Sequence, residues 1–186
     1  VARHVDLSIG SMLGFSAMVS GMMYRFDATW WGFDVPWWTG IPVSIAVGAL
    51  LGFANGLLIQ LFRLPAIIVT LGTLSLYRGL TFILSDAKQI DRQWIPSEIK
   101  GLSQTSIFAV PKDFPIAAGF NIPWIVIIAF GVAVLTYLFL DHTRIGRHVY
   151  ALGSNPAAAP LRGINVTAVT LLVFTISGAL SGLAGI

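Results

Sequence analysis

Asp141-His-Thr-Arg-Ile-Gly-Arg-His-Val-Tyr-Ala-Leu-Gly-Ser-Asn-Pro-Ala-Ala-Ala-Pro-Leu-Arg-Gly-Ile-Asn165 is a polar stretch set between two apolar runs, Ile122–Leu140 and Val166–Ile186. Each run is about long enough to cross a bilayer, which takes roughly 20 mostly apolar residues. The stretch between them carries Arg144, Arg147 and Arg162 and reads as holding one short helix. Asn155 is a good N-cap, Pro156 suits the first helical position, and Gly163 can end the helix. A short capped helix flanked by arginines and held close to a membrane by two spans is a docking surface for a cytoplasmic protein. The pattern points to a membrane subunit that something else moves.

Outward from this stretch the chain shows three more apolar segments: Leu7–Tyr24, rich in Gly and Ser, then Ile41–Phe62 and Pro65–Leu84. In lipid a backbone must satisfy its own hydrogen bonds, so these segments are helices or broken helices. The ~10-residue alternating segments of a β-barrel are not visible. The expected fold is all-α: a polytopic helical bundle in a membrane, one transmembrane domain over 1–186. The chain opens on Val1 and stops inside an apolar run, which reads as an internal fragment.

Composition agrees. Of the residues, 56% are hydrophobic and 10% charged, against roughly 25% charged in a soluble domain; mean hydropathy is +0.83. The formal charge of +3 comes from scattered residues with no Lys/Arg block, so nucleic acid is not the partner read here. There is no cysteine, hence no disulfide, thiolate or cysteine metal site. His4, His142 and His148 are not at zinc spacing and read as interface residues. No G-x-x-x-x-G-K-[ST] pattern occurs, so if transport is ATP-driven the ATPase is on another chain. No Ser-His-Asp arrangement is readable, and no enzyme is expected.

The connections carry further signals. Arg63-Leu64 is so short that segments two and three read as a tight helical hairpin. Trp30, Trp31, Trp37 and Trp38 in Arg25–Gly40 suit a membrane interface. Ser85–Asn121 balances Lys88, Arg92, Lys100 and Lys112 against Asp86, Asp91, Glu98 and Asp113, and its run Ser103–Val110 is mixed; irregular structure or a short surface helix is expected there. Arg3, Arg63, Arg144, Arg147 and Arg162 fall on one side of the membrane, Arg25, Lys88, Arg92, Lys100 and Lys112 on the other. The count ties; shorter loops favour the first side as cytoplasmic.

Gly48, Gly52 and Gly56 recur every four residues, with Ser44 one step earlier; Gly10 and Gly14, and Gly178 and Gly182, repeat likewise. Small residues at this spacing let helix backbones approach closely. Gly-Ala-Leu-Leu-Gly-Phe-Ala-Asn-Gly in segment two is similar to Gly-Ala-Leu-Ser-Gly-Leu-Ala-Gly in segment five, from an internal repeat or from two independent packing stripes.

Arg78 is the one charge well inside a span. Such a charge faces the bundle interior, a partner or water, or else snorkels to the interface. Asn55, Thr70, Thr73 and Arg78 are the candidates for a polar translocation path, beside Ser75, Gly72 and Gly79. Asp6 or Ser8 caps the first segment. No acid is placed mid-span.

These residues also carry a family resemblance. Asp6-Leu-Ser-Ile-Gly-Ser-Met-Leu-Gly14 resembles the I-D-L-S-V-G-S element of bacterial ABC-transporter permeases for monosaccharides, the ribose, xylose, rhamnose and autoinducer-2 type. Asn55-Gly-Leu-Leu58 followed by Leu64-Pro-Ala-Ile-Ile-Val-Thr-Leu-Gly-Thr-Leu-Ser-Leu-Tyr-Arg-Gly-Leu80 is similar to their N-G-x-L…P-x-F-I-V-T-L-G-T…x-R-G-L block. Thr143-Arg-Ile-Gly-Arg-His-Val-Tyr-Ala-Leu-Gly-Ser-Asn-Pro156 resembles their T-x-x-G-R-x-x-Y-A-x-G-x-N-P loop.

The resemblance implies about ten helices per subunit, of which this chain covers about half, in a multi-pass protein of the bacterial inner membrane. It implies a second permease subunit, two cytoplasmic ATPase subunits that hold the ATP, so no cofactor on this chain, and a periplasmic sugar-binding protein. It implies that 141–165 faces the cytoplasm, and that Gly146, Arg147, Gly153, Asn155, Pro156 and Gly163 belong to the region coupling the chain to the ATPase. Two positions depart from the family pattern: Ala157 stands where an acid is usual, and Pro160 where a basic residue is usual, with Arg162 a candidate to replace that charge. Pro160 lacks an N–H, so a single kinked turn is expected. A branched-chain amino-acid permease is the neighbouring alternative. A secondary transporter needs intramembrane acids for ion coupling, and a membrane scaffold would not need the capped polar stretch.

Overall fold

The computed structural model describes residues 4–24, 35–109 and 121–186. Seven helices follow one another: α1 Ile9–Tyr24, α2 Gly40–Phe62, α3 Ala66–Ser85, α4 Ser97–Gln104, α5 Trp124–His142, α6 Arg144–Ser154 and α7 Val166–Ala184. Between α4 and α5, β1 (Ser106–Ala109) pairs antiparallel with β2 (Asn121–Pro123), Ala109 opposite Asn121. Among the described residues α2, α3, α5 and α7 are long and apolar enough to cross a membrane, and α1 is a shorter apolar helix. Trp37 and Trp38 form an exposed 3-10 turn before α2. Arg3, Arg25, Trp30, Trp31, Lys112 and Asp113 lie outside the described residues, as does Val110 at the end of the mixed run.

Local chemistry sets the helix ends. Arg63 takes a left-handed conformation (φ 52°) and stops α2; Pro65 then opens α3, where a missing N–H costs nothing. Asp86 (φ 50°) stops α3 the same way. The side chain of Asn165 accepts the Ala168 N–H at 3.0 Å and caps α7.

The centre of the fold is the antiparallel pair α2–α7. Gly48 lies against Gly178 and Gly182, Gly52 against Phe174 and Gly178, and Gly56 against Leu171 and Phe174. The Ser44 hydroxyl donates to the Gly182 carbonyl at 2.6 Å across the same seam. The two similar sequence stretches are thus the two sides of one interface. Phe174, Ile59, Ala66 and Val69 form the apolar cluster where α2, α3 and α7 meet. α1 lays Met12, Ser16 and Ser20 against this body. Ser16 can be buried because its hydroxyl bonds the Met12 carbonyl of its own helix at 2.6 Å.

Three expectations need correction. Segments two and three are consecutive but not a close-packed hairpin: the glycine face of α2 goes to α7, and α3 meets α2 at the Ile59–Ala66–Val69 cluster near their connection and through Tyr77. Gly10 and Gly14 pack against none of the described residues, since a β-carbon on either would meet nothing within 4 Å among them. An acid does lie at span depth. Asn55 donates to Ser8 Oγ at 2.8 Å, and Ser8 in turn donates to Asp6 Oδ1 at 2.6 Å, so α1 begins level with Asn55. Asn55 is about 10 Å inside the nearer end of α2 at 1.5 Å per residue. The apolar run was counted from Leu7, which hid Asp6 at its border.

α5 stands apart: none of its residues is buried, and it rests on α6, α4 and β2.

Candidate functional site

The polar stretch between the last two spans folds in two parts: α6 before Asn155, which sequence reading did not place, and a short capped turn after it. Thr143 alone separates α5 from α6. Its hydroxyl accepts the Gly146 N–H at 3.0 Å, which makes Thr143 the N-cap of α6. Gly146, Val149, Leu152 and Gly153 recur at helical spacing and form the buried face, while Arg144, Arg147, His148 and Tyr150 face out. The single kinked turn expected after Asn155 is present, with Asn155 as its cap and Gly163 at its end. Asn155 Oδ1 accepts the N–H groups of Ala157 and Ala158, each at 3.1 Å. A 3-10 turn over Pro160–Arg162 follows, and Gly163 (φ 76°) reverses the chain. Pro160 has no N–H to extend an α-helix through this point.

The residues assigned to this region therefore separate into two groups. Gly146 and Gly153 are buried. The α6 cluster, Val149 and Leu152 packed with Ala159, Ile164 and Val169, also takes in Leu140 of α5 and Val173 of α7. Arg147, Asn155, Pro156 and Arg162 are exposed. Sequence reading passed over Leu161, which is 88% exposed at the tip of the 3-10 turn beside Arg162. The sequence carries no signal for it, since Leu161 follows Pro156-Ala-Ala-Ala-Pro160 and precedes Ile164 by three residues. Thr143 was also passed over as a cap, although a threonine three residues before Gly146 at the end of an apolar run is such a signal.

The path candidates separate as well. Asn55 and Thr70 are fully buried and Thr73 is 6% exposed. Asn55 is held from both ends: it donates to Ser8 Oγ, and its Oδ1 accepts the Tyr77 hydroxyl at 2.9 Å. Tyr77 also reaches the Leu51 carbonyl at 3.0 Å. Thr70 and Thr73 bond carbonyls of their own helix, at 3.3 and 3.4 Å. Arg78 is different. It is exposed on α3, on the side where Gly72 and Ser75 are also exposed, and a β-carbon on Gly72 or Gly79 would meet nothing within 4 Å. Among the described residues there is no cluster of three or more His, Asp or Glu side chains placed to hold a metal.

The family described as branched-chain amino acid transport system / permease component matches residues 1–186. An autoinducer 2 import system permease protein of Escherichia coli O9:H4 (strain HS) is 34% identical over 186 residues, covering 100% of this chain and 48% of that protein. A ribose import permease protein of Haemophilus influenzae is 34% identical over 183 residues, covering 98% of this chain and 51% of that protein. An autoinducer 2 import system permease protein of Enterobacter sp. (strain 638) is 36% identical over 191 aligned residues, covering 100% and 48%. The chain spans about half the length of the curated relatives it matches. No solved structure matches it.

Proposed function

This chain belongs to the family of branched-chain amino acid transport system permease components, and on that premise we propose that it is membrane-spanning permease sequence of an ATP-driven importer for a monosaccharide or related neutral solute. In this reading it works in a bacterial inner membrane with a second permease subunit, two cytoplasmic ATPase subunits and a periplasmic solute-binding protein. The observation that carries the reading is its likeness, along its whole length, to permeases named for importing autoinducer 2 and ribose.

The geometry supports a division of labour. α6 and the turn after it form a compact projection at one end of α5 and α7, with Arg147, Arg162 and Leu161 outward. That surface meets the ATPase, and Gly146, Gly153, Asn155, Pro156 and Gly163 shape it. The path follows the open face of α3, where Arg78 offers five N–H donors to hydroxyl groups. Asn55, Thr70 and Thr73 support that path from behind, because their polar atoms are engaged within the helix body. Ser8 N–H and Oγ both bond Asp6 Oδ1 at the start of α1, while Asp6 Oδ2 is buried with no hydrogen-bond partner among the described residues.

Uptake of radiolabelled ribose, autoinducer 2 and leucine by cells expressing the full-length permease with its neighbouring subunits tests this. Uptake of either of the first two that stops when the ATPase subunit is deleted is expected. Leucine as the only transported probe would overturn the solute class, and uptake that persists without the ATPase would overturn the mechanism.

A further inference from the structure

The joint between α5 and α6 is built more tightly than a flexible connection requires. One hydroxyl serves both helices: Thr143 Oγ1 donates to the Phe139 carbonyl at 2.6 Å and accepts the Gly146 N–H at 3.0 Å. It therefore adds a second donor to the Phe139 carbonyl at the end of α5 and satisfies a free N–H at the start of α6. The Thr143 main chain repeats the link, donating to Phe139 O at 3.3 Å and accepting from Arg147 N at 3.2 Å. Gly146 closes the corner. A β-carbon there would run into the Leu140 carbonyl and lie 2.6 Å from its α-carbon, so α6 sits backbone to backbone on the last turn of α5. Backbone cannot give way as a flexible side chain can, and a larger residue would force the helices apart.

Beyond the α6 cluster, against which Leu140 and Val173 both pack, α5 and α7 diverge: a cavity of about 260 Å³, open on one side among the described residues, lies between Thr136 and Phe139 on α5, Val149 on α6, and Ile176 and Ser177 on α7. The α2–α7 pair has no such gap, being in backbone contact along Gly48, Gly52, Gly178 and Gly182.

We propose that Thr143 and Gly146 are positioning residues that lock α5 and α6 into one rigid elbow, so that a displacement of α6 tilts α5 across the cavity toward or away from α7. Gly146 is then a joint and not a contact for a partner, which agrees with its burial. The inference rests on the coupling role given to α6 above.

These 186 residues hold no cysteine, so in a full-length permease and ATPase subunits freed of any other cysteine, introduced cysteines label unique positions. Spin labels at Leu50 on α2 (67% exposed) and Leu135 on α5 (66% exposed) report the tilt of α5. A second pair, Leu50 and the exposed His148, reports α6 itself. Distances are measured in the full-length permease purified with its ATPase subunits, with and without ATP and vanadate. Both distances are expected to change in the otherwise unaltered protein. In Thr143→Val, which keeps shape and removes the hydroxyl, and in Gly146→Ala, the Leu50–His148 change persists while most of the Leu50–Leu135 change is lost. Thr143→Ser, which keeps the hydroxyl, restores both. If His148 does not move in the unaltered protein, the coupling reading falls and the elbow with it. If His148 moves but Leu135 does not, or if Leu135 moves fully in both Thr143→Val and Gly146→Ala, the elbow alone is overturned.

Discussion

Gly48 and Gly178 meet backbone to backbone at the centre of the fold. A β-carbon on Gly48 would fall on the carbonyl oxygen of Gly178, and one on Gly178 would fall on the carbonyl of Gly48. The same Gly48 β-carbon would lie 2.8 Å from the Gly182 amide nitrogen. In lipid no hydrophobic effect drives two helices together, so this close approach, with the Ser44–Gly182 hydrogen bond beside it, is what joins α2 to α7.

Gly48→Val should therefore force the pair apart. Overpacking typically costs about 1–3 kcal/mol, and here the obstructing atoms are main chain. A clear fall in the detergent melting temperature is expected. Gly72→Ala is the control, because its β-carbon meets nothing within 4 Å; it should melt like the parent. Equal melting temperatures for parent and Gly48→Val would remove the packing claim.

Tyr77 is the main polar tie from α3 to α2. Tyr77→Phe deletes the hydroxyl that bonds both Leu51 O and Asn55 Oδ1. It leaves a buried amide oxygen without its donor, at a cost of about 1–3 kcal/mol. The expected result is a lower melting temperature and faster amide exchange in the first turn of α1, which reaches Tyr77 through Asn55 and Ser8. Unchanged exchange at Ser11 and Met12 would show that the chain of bonds carries no energy between the helices.

The membrane class and helical fold were legible because both are written in composition and run length. The glycine stripes of α2 and α7 were legible as close-approach surfaces, but spacing cannot say which stripe meets which. The answer needed three dimensions, and Gly10 and Gly14, with the same spacing, meet nothing among the described residues. The hairpin expectation failed for a related reason: Arg63-Leu64 fixes chain continuity, not which face of α2 is covered. In the 141–165 stretch, the Asn155 cap, the Pro160 kink and the Gly163 end were legible, but the longer helix capped by Thr143 was not. The amphipathic spacing of Gly146, Val149, Leu152 and Gly153 was there to be read, but two glycines masked it. Asp6 was missed because hydropathy locates the border of an apolar run and not the depth at which a broken helix starts.

Leu161 tests the docking surface separately from its scaffold. It is 88% exposed, so Leu161→Asp should leave folding unaffected, within about 0.5 kcal/mol as for most surface changes. A buried apolar anchor at a partner interface loses far more, about 2 kcal/mol or beyond when truncated. Co-purification of the ATPase subunit with the full-length permease should fall by tenfold or more, about 1.4 kcal/mol per decade. Full recovery of the ATPase with Leu161→Asp would mean that the partner sits elsewhere.

Arg78 decides whether the open face of α3 is a path or a lipid-facing surface. A charge mid-span is expensive unless it meets water or a partner, and Arg78 is exposed on a helix whose other outward residues include Leu71, Leu76 and Phe82. If solute passes along this face, Arg78→Ala should reduce uptake strongly at equal membrane abundance. Arg78→Lys should rescue it only in part, since lysine keeps the charge but lacks the planar five-donor fork. If the side chain only snorkels, its aliphatic stem covers apolar surface and its charge reaches the interface. Lysine then does the same, and Arg78→Lys transports like the parent. The pair of variants is read together with melting temperature. Loss of uptake with an unchanged melting temperature assigns Arg78 to transport. Normal uptake in Arg78→Ala at equal abundance removes it from the path, and the open face of α3 with it.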